Sequence, residues 1–398
     1  MLVVEYKARG NAEQYRQIDE AIRTAQFVQN KCLRLWVDGE KVGKYDISKH
    51  TTFLREEYIW CRRLNSTAVQ AAGERAWSAI SRFYERCKQG AEKKGYPKFK
   101  KNVRSVEYKH SGWKLSALDK RITFTDGFNI GTLKLKGTYD LALYPAKLIR
   151  RVRLLKRADG YYVQFAVNVD RSEEREPTGK AVGLDVGLES FYTDSEGKKE
   201  PNPRFLRKAE KRLKLLNRRM SRKKKGSNNR KKARNRYGRK HLQVSRQRKA
   251  HAIETARDVM MSNDFVAYED LRVLNMVKNG NLAKSITDAS WYQFRVWLEY
   301  YGRIFGKATV VVPPQYTSQD CSHCGTRVQK SLSARTHVCK CGHVQDRDHN
   351  AARNILQKAL STVGHTGTWA SNSSNAWGEG VRPAPQSATL NEPRIPPL

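Results

Sequence analysis

The sequence predicts a multidomain α+β protein. Three observations lead there. The hydrophobic period switches from 3.6 residues to two near residue 103 and changes character again after 179. A length of 398 residues exceeds one ordinary domain and suits two to four. Four of the seven cysteines, Cys321, Cys324, Cys339 and Cys341, crowd into one short window.

Residues 1 to 8 alternate and predict a short strand. From Asn11 and Ala12 the apolar residues Ile18, Ala21, Ile22, Ala25, Val28 and Leu33 recur at three- and four-residue spacing and predict an amphipathic helix. Helical spacing returns over 54–63 and over 66–89, until Gly90 and Gly95 end it, so residues 10–101 are expected as a helical unit. Alternation over 121–124, 131–136, 149–157 and 161–169, broken by Asp126-Gly127 and Asp159-Gly160, predicts a β-rich region built as a barrel or sandwich. A boundary falls in the charged, Pro177-containing stretch 171–179.

After that boundary, AVGLDVGLESFYTD (181–194) predicts a hairpin with Asp185 in the middle of its first strand. Residues 204–249 hold 22 Lys and Arg against one acid, Glu210, and Gly226-Ser227-Asn228-Asn229 divides them into a helical hairpin. Phe265–Tyr268 predicts a buried strand that ends at Glu269. A helix over 290–305, a strand over 308–313 and a last helix over 350–359 follow, and the Ser-, Gly- and Pro-rich tail from about 363 to 398 is expected to be disordered.

Charge narrows the function classes. The chain carries 77 Lys+Arg against 39 Asp+Glu, a net +38, with an isoelectric point near 10.1 and a mean hydropathy of −0.75. A polyanion is the natural partner. No run approaches the roughly 20 apolar residues of a membrane span, and the opening MLVVEYKARG does not read as a secretion signal, so a cytoplasmic setting is expected. In the basic run, Arg218, Arg219, Lys223, Lys224 and Lys225 repel one another unless phosphates neutralise them, which favours contact with a nucleic-acid backbone. Lys98, Lys100 and Lys101, beside Tyr96 and Phe99, suit the same role.

Two constellations carry chemistry. Cys321-x-x-Cys324 and Cys339-x-Cys341 supply four thiolates for one tetrahedral, structural Zn2+, and Gly325 and Gly342 permit the tight turns of the two knuckles. His323, His337 and His343 stand nearby as alternative ligands. Asp185, Glu269 and Asp348 each have an ordinary alternative: a water-facing strand acid, a salt-bridge partner and a helix N-cap or first-turn charge. Together they match the way an RNase H-like fold gathers carboxylates for two Mg2+ or Mn2+ ions.

The chain resembles the TnpB proteins of bacterial insertion sequences, relatives of the type V CRISPR effectors. The resemblance rests on GYPKFKK (95–101), GLDVG (183–187), EDLRVLNM (269–276), SITDASWYQF (285–294), TSQDCSHCG (317–325), DRDHNAARNI (346–355) and GEGVRP (378–383). It implies an RNA-guided DNA endonuclease with Asp185, Glu269 and Asp348 as metal-holding catalytic acids. It also implies a β-barrel wedge domain (1–9 and 102–175), a helical recognition domain (10–101), a RuvC-like nuclease domain (176–315 and 344–362) and a zinc finger (316–343).

The implied partners are a transposon-derived guide RNA and a target double-stranded DNA, held by a monomeric ribonucleoprotein in the bacterial cytoplasm or nucleoid. Base pairing would read the target, and side chains on the helical domain, with Gln70 and Arg75 as candidates, would read a short adjacent motif. An RNA-guided repressor that binds without cutting is one alternative, disfavoured because all three acids are present. A miniature type V CRISPR effector is another. A tyrosine-type transposase needs a His-x-His pair, which the chain lacks.

Overall fold

The computed structural model describes residues 1–331 and 334–363. The tail and GEGVRP therefore fall outside the described residues, apart from the start of the tail at 363. The described residues pack into two compact units: residues 1–172 with 204–251, and residues 173–203 with the described residues from 252 to 363.

The first unit opens with β1 (Leu2–Arg9) and α1 (Ala12–Asp38). Asn11 caps α1 in a reciprocal box: its side chain accepts from the Gln14 backbone at 2.8 Å, and the Gln14 side chain accepts from the Asn11 backbone at 2.9 Å. Then come α2 (Lys44–Glu57), a 3-10 turn (Ile59–Arg63) and α3 (Ser66–Lys88), so the helical signal at 54–63 divides at Tyr58 between two elements. Strands β2 (Ser105–Tyr108), β3 (Trp113–Ser116), β4 (Arg121–Phe124), β5 (Gly131–Lys136), β6 (Ile149–Arg157) and β7 (Gly160–Val167) complete an antiparallel sheet of order β2-β6-β7-β1-β5-β4-β3. Its inward residues, among them Val4, Tyr6, Ile122, Leu133, Val152, Val163 and Phe165, share one core with Ile18, Val28, Ala72 and Ala76 of the helices.

The basic hairpin consists of α4 (Phe205–Ser221) and α5 (Asn228–Ser262), of which residues up to 251 belong to the first unit. Ala209, Leu213 and Val244 pack between its two arms. It is moored to the β6–β7 turn. Arg246 donates to Asp159 at 2.8 Å and to the Tyr162 hydroxyl at 2.7 Å, and Arg239 donates to the Ala158 carbonyl at 3.3 Å. A Cβ on Gly238 would lie 3.0 Å from that of Ala158, which accounts for a glycine in mid-helix.

In the second unit, β8 (Ala181–Asp185), β9 (Ser190–Asp194), β10 (Lys199–Pro201), β11 (Phe265–Glu269) and β12 (Ala308–Val312) form one sheet of order β10-β9-β8-β11-β12. The first three are antiparallel, and β11 runs parallel to both β8 and β12. Helices α6 (Val273–Met276), α7 (Ala283–Ala289) and α8 (Trp291–Phe305) lie between β11 and β12 in sequence, and Trp291, Phe294 and Leu298 of α8 enter the core. A small ribbon, β13 (Thr336–Val338) with β14 (Val344–Asp346), precedes α9 (Arg347–Val363). Among the described residues no helix is long and apolar enough to cross a membrane.

Candidate active site and metal centre

Asp185 ends β8, a correction to its expected place in mid-strand. The strand stops because Val186-Gly187-Leu188 turn the chain into β9; the Gly187 backbone donates to the Phe191 carbonyl at 3.3 Å. Glu269 ends the neighbouring parallel strand β11. Two parallel strands in register thus present carboxylates from the same edge of the sheet.

Asp348 comes from α9, and Gly183 explains how that helix reaches β8. A Cβ at Gly183 would lie 2.2 Å from the Ala352 carbonyl oxygen and 2.8 Å from the Leu356 amide, so only glycine lets the helix backbone pack against the strand. The N-terminus of α9 is capped by another acid. Asp346 accepts from the backbone amides of Asp348 (3.0 Å) and His349 (3.1 Å) and pairs with Lys199 at 2.7 Å. The cap role expected as one alternative for Asp348 falls to Asp346, and the Asp348 carboxylate is left to face other groups.

Asp185 lies in the electrostatic field of the other two acids. Burial, then the charges of Glu269 and Asp348, push the Asp185 carboxyl well above the usual carboxylate range. Burial raises Glu269 as well, against a hydrogen bond from Thr317 and the charge of Lys358. Each outer acid has its own donor: Thr317 Oγ1 donates to Glu269 at 2.5 Å, and Arg347 donates to Asp348 at 3.1 and 3.2 Å. Like charges with separate partners stay apart. Among the described residues the four cysteines, and not these acids, bring their ligand atoms within 4.8 Å of one another. The donor set is nevertheless three carboxylates, hard oxygen donors, and the charges of two of them oppose ionisation of the third, Asp185, an opposition that a divalent cation relieves.

Within the cysteine cluster, the Cys321 and Cys341 sulfurs lie 3.9 Å apart and those of Cys324 and Cys339 3.6 Å apart. A tetrahedron with metal–sulfur bonds near 2.3 Å has edges of about 3.8 Å, so the set fits one zinc ion. Hydrogen bonds from Thr326, then from Cys341, hold the Cys324 thiol down at about 6, whereas Cys341, against a backbone hydrogen bond from His343, is pushed up to about 12 by its contact with Cys324, so that without metal the two sulfurs share one proton. The histidines stand outside this set: His337 is buried against Lys330, and the His343 ring stacks on His323 and shares a hydrogen bond with Gln345.

The expected nucleic-acid contacts divide by surroundings. Arg218, Arg219, Lys223, Lys224 and Lys225 are all exposed around the hairpin turn. Lys98, Lys100 and Lys101 are exposed too, on a segment pinned by Asn30, whose amide bonds both ways with the Lys100 backbone at 2.8 and 2.9 Å. Tyr96 packs its ring against Trp36 and Phe83. Gln70 is exposed and meets Lys109 at 3.4 Å. Arg75 is engaged inside the unit: it donates to the Ser105 carbonyl at 3.0 Å and to Glu107 at 3.3 Å, and Glu107, 4 % exposed, also receives Arg151 and Arg153.

Sequence reasoning missed Thr317, the Asp346 cap, and three α9 residues, Asn350, Asn354 and Lys358, that grip the loop before the cysteines. Their four-residue spacing, which puts all three on one helix face, was the available signal.

A sheet with acids at parallel strand ends, a third acid at a helix start and a four-cysteine cluster that could hold zinc define a class of mixed α/β proteins, and comparison with known proteins narrows it. Residues 164–280 match a family model described as a probable transposase of the OrfB IS605 type, and residues 291–355 match the Cas12f1-like TNB domain. A Streptomyces pristinaespiralis protein named "Putative RNA-guided DNA endonuclease" is 31% identical over 409 residues, covering 98% of both chains. The Escherichia coli K12 protein InsQ, which carries the same name, is 26% identical over 88% of this chain and 90% of its own. The Cas12f1 chain in a complex with guide RNA and target DNA shares the fold, with a TM-score of 0.54 at 15% identity over 87% of this chain and 82% of that one. The chain belongs to the TnpB family.

Proposed function

We propose that this protein is an RNA-guided DNA endonuclease. It uses a transposon-derived guide RNA to cut double-stranded DNA beside a short adjacent motif, by two-metal-ion phosphodiester hydrolysis. The observation that supports this reading is that Asp185, at the end of one strand, feels the charges of Glu269, at the end of the neighbouring parallel strand, and of Asp348, in the first turn of a helix. The order β10-β9-β8-β11-β12, an antiparallel meander continued by two parallel strands, suits an RNase H-like, RuvC-type domain over 176–315 and 344–362, with a zinc finger at 316–343. The seven-stranded sheet suits a wedge barrel over 1–9 and 102–175, with 10–101 as the helical recognition domain.

Mg2+ or Mn2+ held by the three acids would supply the Lewis-acid charge that activates water and stabilises a leaving 3′ oxygen. The chain's own groups do the rest. Arg347 donates to Asp348 and Thr317 to Glu269, the cysteines hold zinc as a structural ion, and the exposed cations of the hairpin and of 98–101 meet phosphates. Gln70, exposed on α3, is the candidate that can reach a duplex directly, whereas Arg75 can act there only by giving up its contact with Glu107.

Expression together with the flanking insertion-sequence DNA, purification and sequencing of bound RNA provides the test. One discrete RNA that includes transposon-end sequence is expected. Heterogeneous cellular RNA in its place would contradict the guide assignment, and a discrete RNA whose complex binds matching DNA without cutting would indicate a repressor.

A further inference from the structure

The loop between β12 and the cysteine cluster connects two sites that the sequence keeps far apart. Thr317, 3 % exposed, donates its hydroxyl to Glu269 Oε1 at 2.5 Å across 48 residues of chain. A second acceptor, the Pro314 carbonyl, lies at 3.2 Å. One hydroxyl proton serves one acceptor well, and the shorter bond to a carboxylate is the stronger.

The backbone of this loop is clamped by one face of α9. Asn354 donates to the carbonyls of Thr317 (2.8 Å) and Asp320 (2.6 Å). Asn350 donates to the Asp320 carbonyl at 2.8 Å and accepts from the Ser322 amide at 2.9 Å. Gln357 donates to the Ser322 carbonyl at 3.1 Å and Lys358 to the Gln315 carbonyl at 2.7 Å. Asn350 and Asn354 are 0 % and 5 % exposed, so these bonds are made away from water and are costly to break.

The helix that carries Asp348 therefore fixes the loop that holds Glu269, and the same loop runs on into Cys321. From this geometry we infer that Thr317 is a positioning residue for Glu269, setting the carboxylate in the orientation from which it can join Asp185 and Asp348 on a divalent ion. The inference rests on the nuclease reading of those three acids. Thr317 acts through Glu269 and touches no substrate. Groups that orient metal-ligating carboxylates govern metal affinity, and their loss typically costs roughly 10- to 100-fold.

The experiment uses the guide-loaded complex and three forms of it: the parent, Thr317→Val, which keeps the shape and removes the donor, and Thr317→Ser, which restores the donor. Mn2+ binding is followed by electron paramagnetic resonance and cleavage by its Mg2+ dependence, with zinc content and affinity for matching DNA measured alongside. Thr317→Val is expected to raise the Mn2+ dissociation constant and the Mg2+ midpoint of cleavage by roughly tenfold or more, with zinc content and DNA affinity unchanged, and Thr317→Ser to recover most of both.

Unchanged metal midpoints in Thr317→Val would overturn the inference. So would a loss of zinc and melting temperature with the metal midpoints intact, because that marks a merely structural residue. If the parent complex cuts nothing, the nuclease reading fails, and the Mn2+ titration still judges Thr317. A parent that takes up no Mn2+ overturns the positioning role as well.

Discussion

Asp185 shows how much a neighbourhood changes a side chain. In GLDVG it reads as a buried-strand acid, and its ionisation is opposed first by burial and then by Glu269 and Asp348. The folded chain thus holds the Asp185 proton more tightly than the unfolded chain does. Its contribution to stability declines as pH rises from the unfolded value of about 4 through the raised folded value. At neutral pH, in chelator, Asp185→Asn is therefore expected to raise the melting temperature while abolishing cleavage; a lower melting temperature would mean that the carboxylate is well solvated.

Asp185, Glu269, Asp348 and the four cysteines were legible as candidates from residue type, spacing and flanking apolar runs. Thr317, although it opens the TSQDCSHCG motif, was not legible as a partner of Glu269, because the two lie 48 residues apart and no local spacing links them. Arg75 illustrates the converse. On a helical wheel it is one more exposed cation, but β2 was not foreseen, and Glu107 on that strand takes it inward.

At the scale of elements, the Glu107 cluster joins α3 to the sheet. Burial alone would raise Glu107, but hydrogen bonds from Arg151 and Arg153 and the charge of Arg75 prevail and hold it at about 2. A depressed carboxyl contributes stability that is present above its unfolded value of about 4.3 and is lost as pH falls toward 2. Glu107→Gln is expected to destabilise the protein by about 3 kcal/mol at pH 7, since it leaves partly buried guanidinium groups uncompensated. In thermal denaturation the gap between parent and variant should close between about pH 4 and pH 2; a gap that does not depend on pH would show that packing, and not charge, is responsible.

The basic hairpin supports a second expectation at this scale. Replacing Arg218, Arg219, Lys223, Lys224 and Lys225 with Gln should flatten the dependence of log affinity on log salt by roughly 0.7 to 0.9 for each phosphate that is no longer neutralised. An unchanged slope in binding titrations would remove these five from the interface. The hairpin was legible from its charge density and its Gly-Ser-Asn-Asn break. Its mooring through Arg246 to Asp159 was not, because that depends on a turn between two strands.

For the whole molecule, the switch in hydrophobic period marked where helices give way to strands, and the four strands between 121 and 169 were foreseen nearly to the residue. Short strands such as β2, β3 and β10 were not foreseen, since four or fewer residues carry little alternation; β4, equally short, registered because Asp126-Gly127 marks a turn just after it. Compactness follows packing and not chain order. Residues 204–251 pack with 1–172 although they sit between two strands of the second unit's sheet. Hydrophobic patterning reports which residues face a core without saying whose core it is.

Three acids that cut DNA under the direction of a bound RNA make cleavage depend on both. The most direct test incubates the purified RNA complex with Mg2+ and a duplex matching the guide beside a randomised adjacent sequence, in parallel with Asp185→Ala. Cleavage is expected to require the guide match, the adjacent motif and Mg2+, and to disappear in Asp185→Ala while binding of the same duplex persists. Cleavage surviving in Asp185→Ala, or independent of the guide, would contradict this assignment.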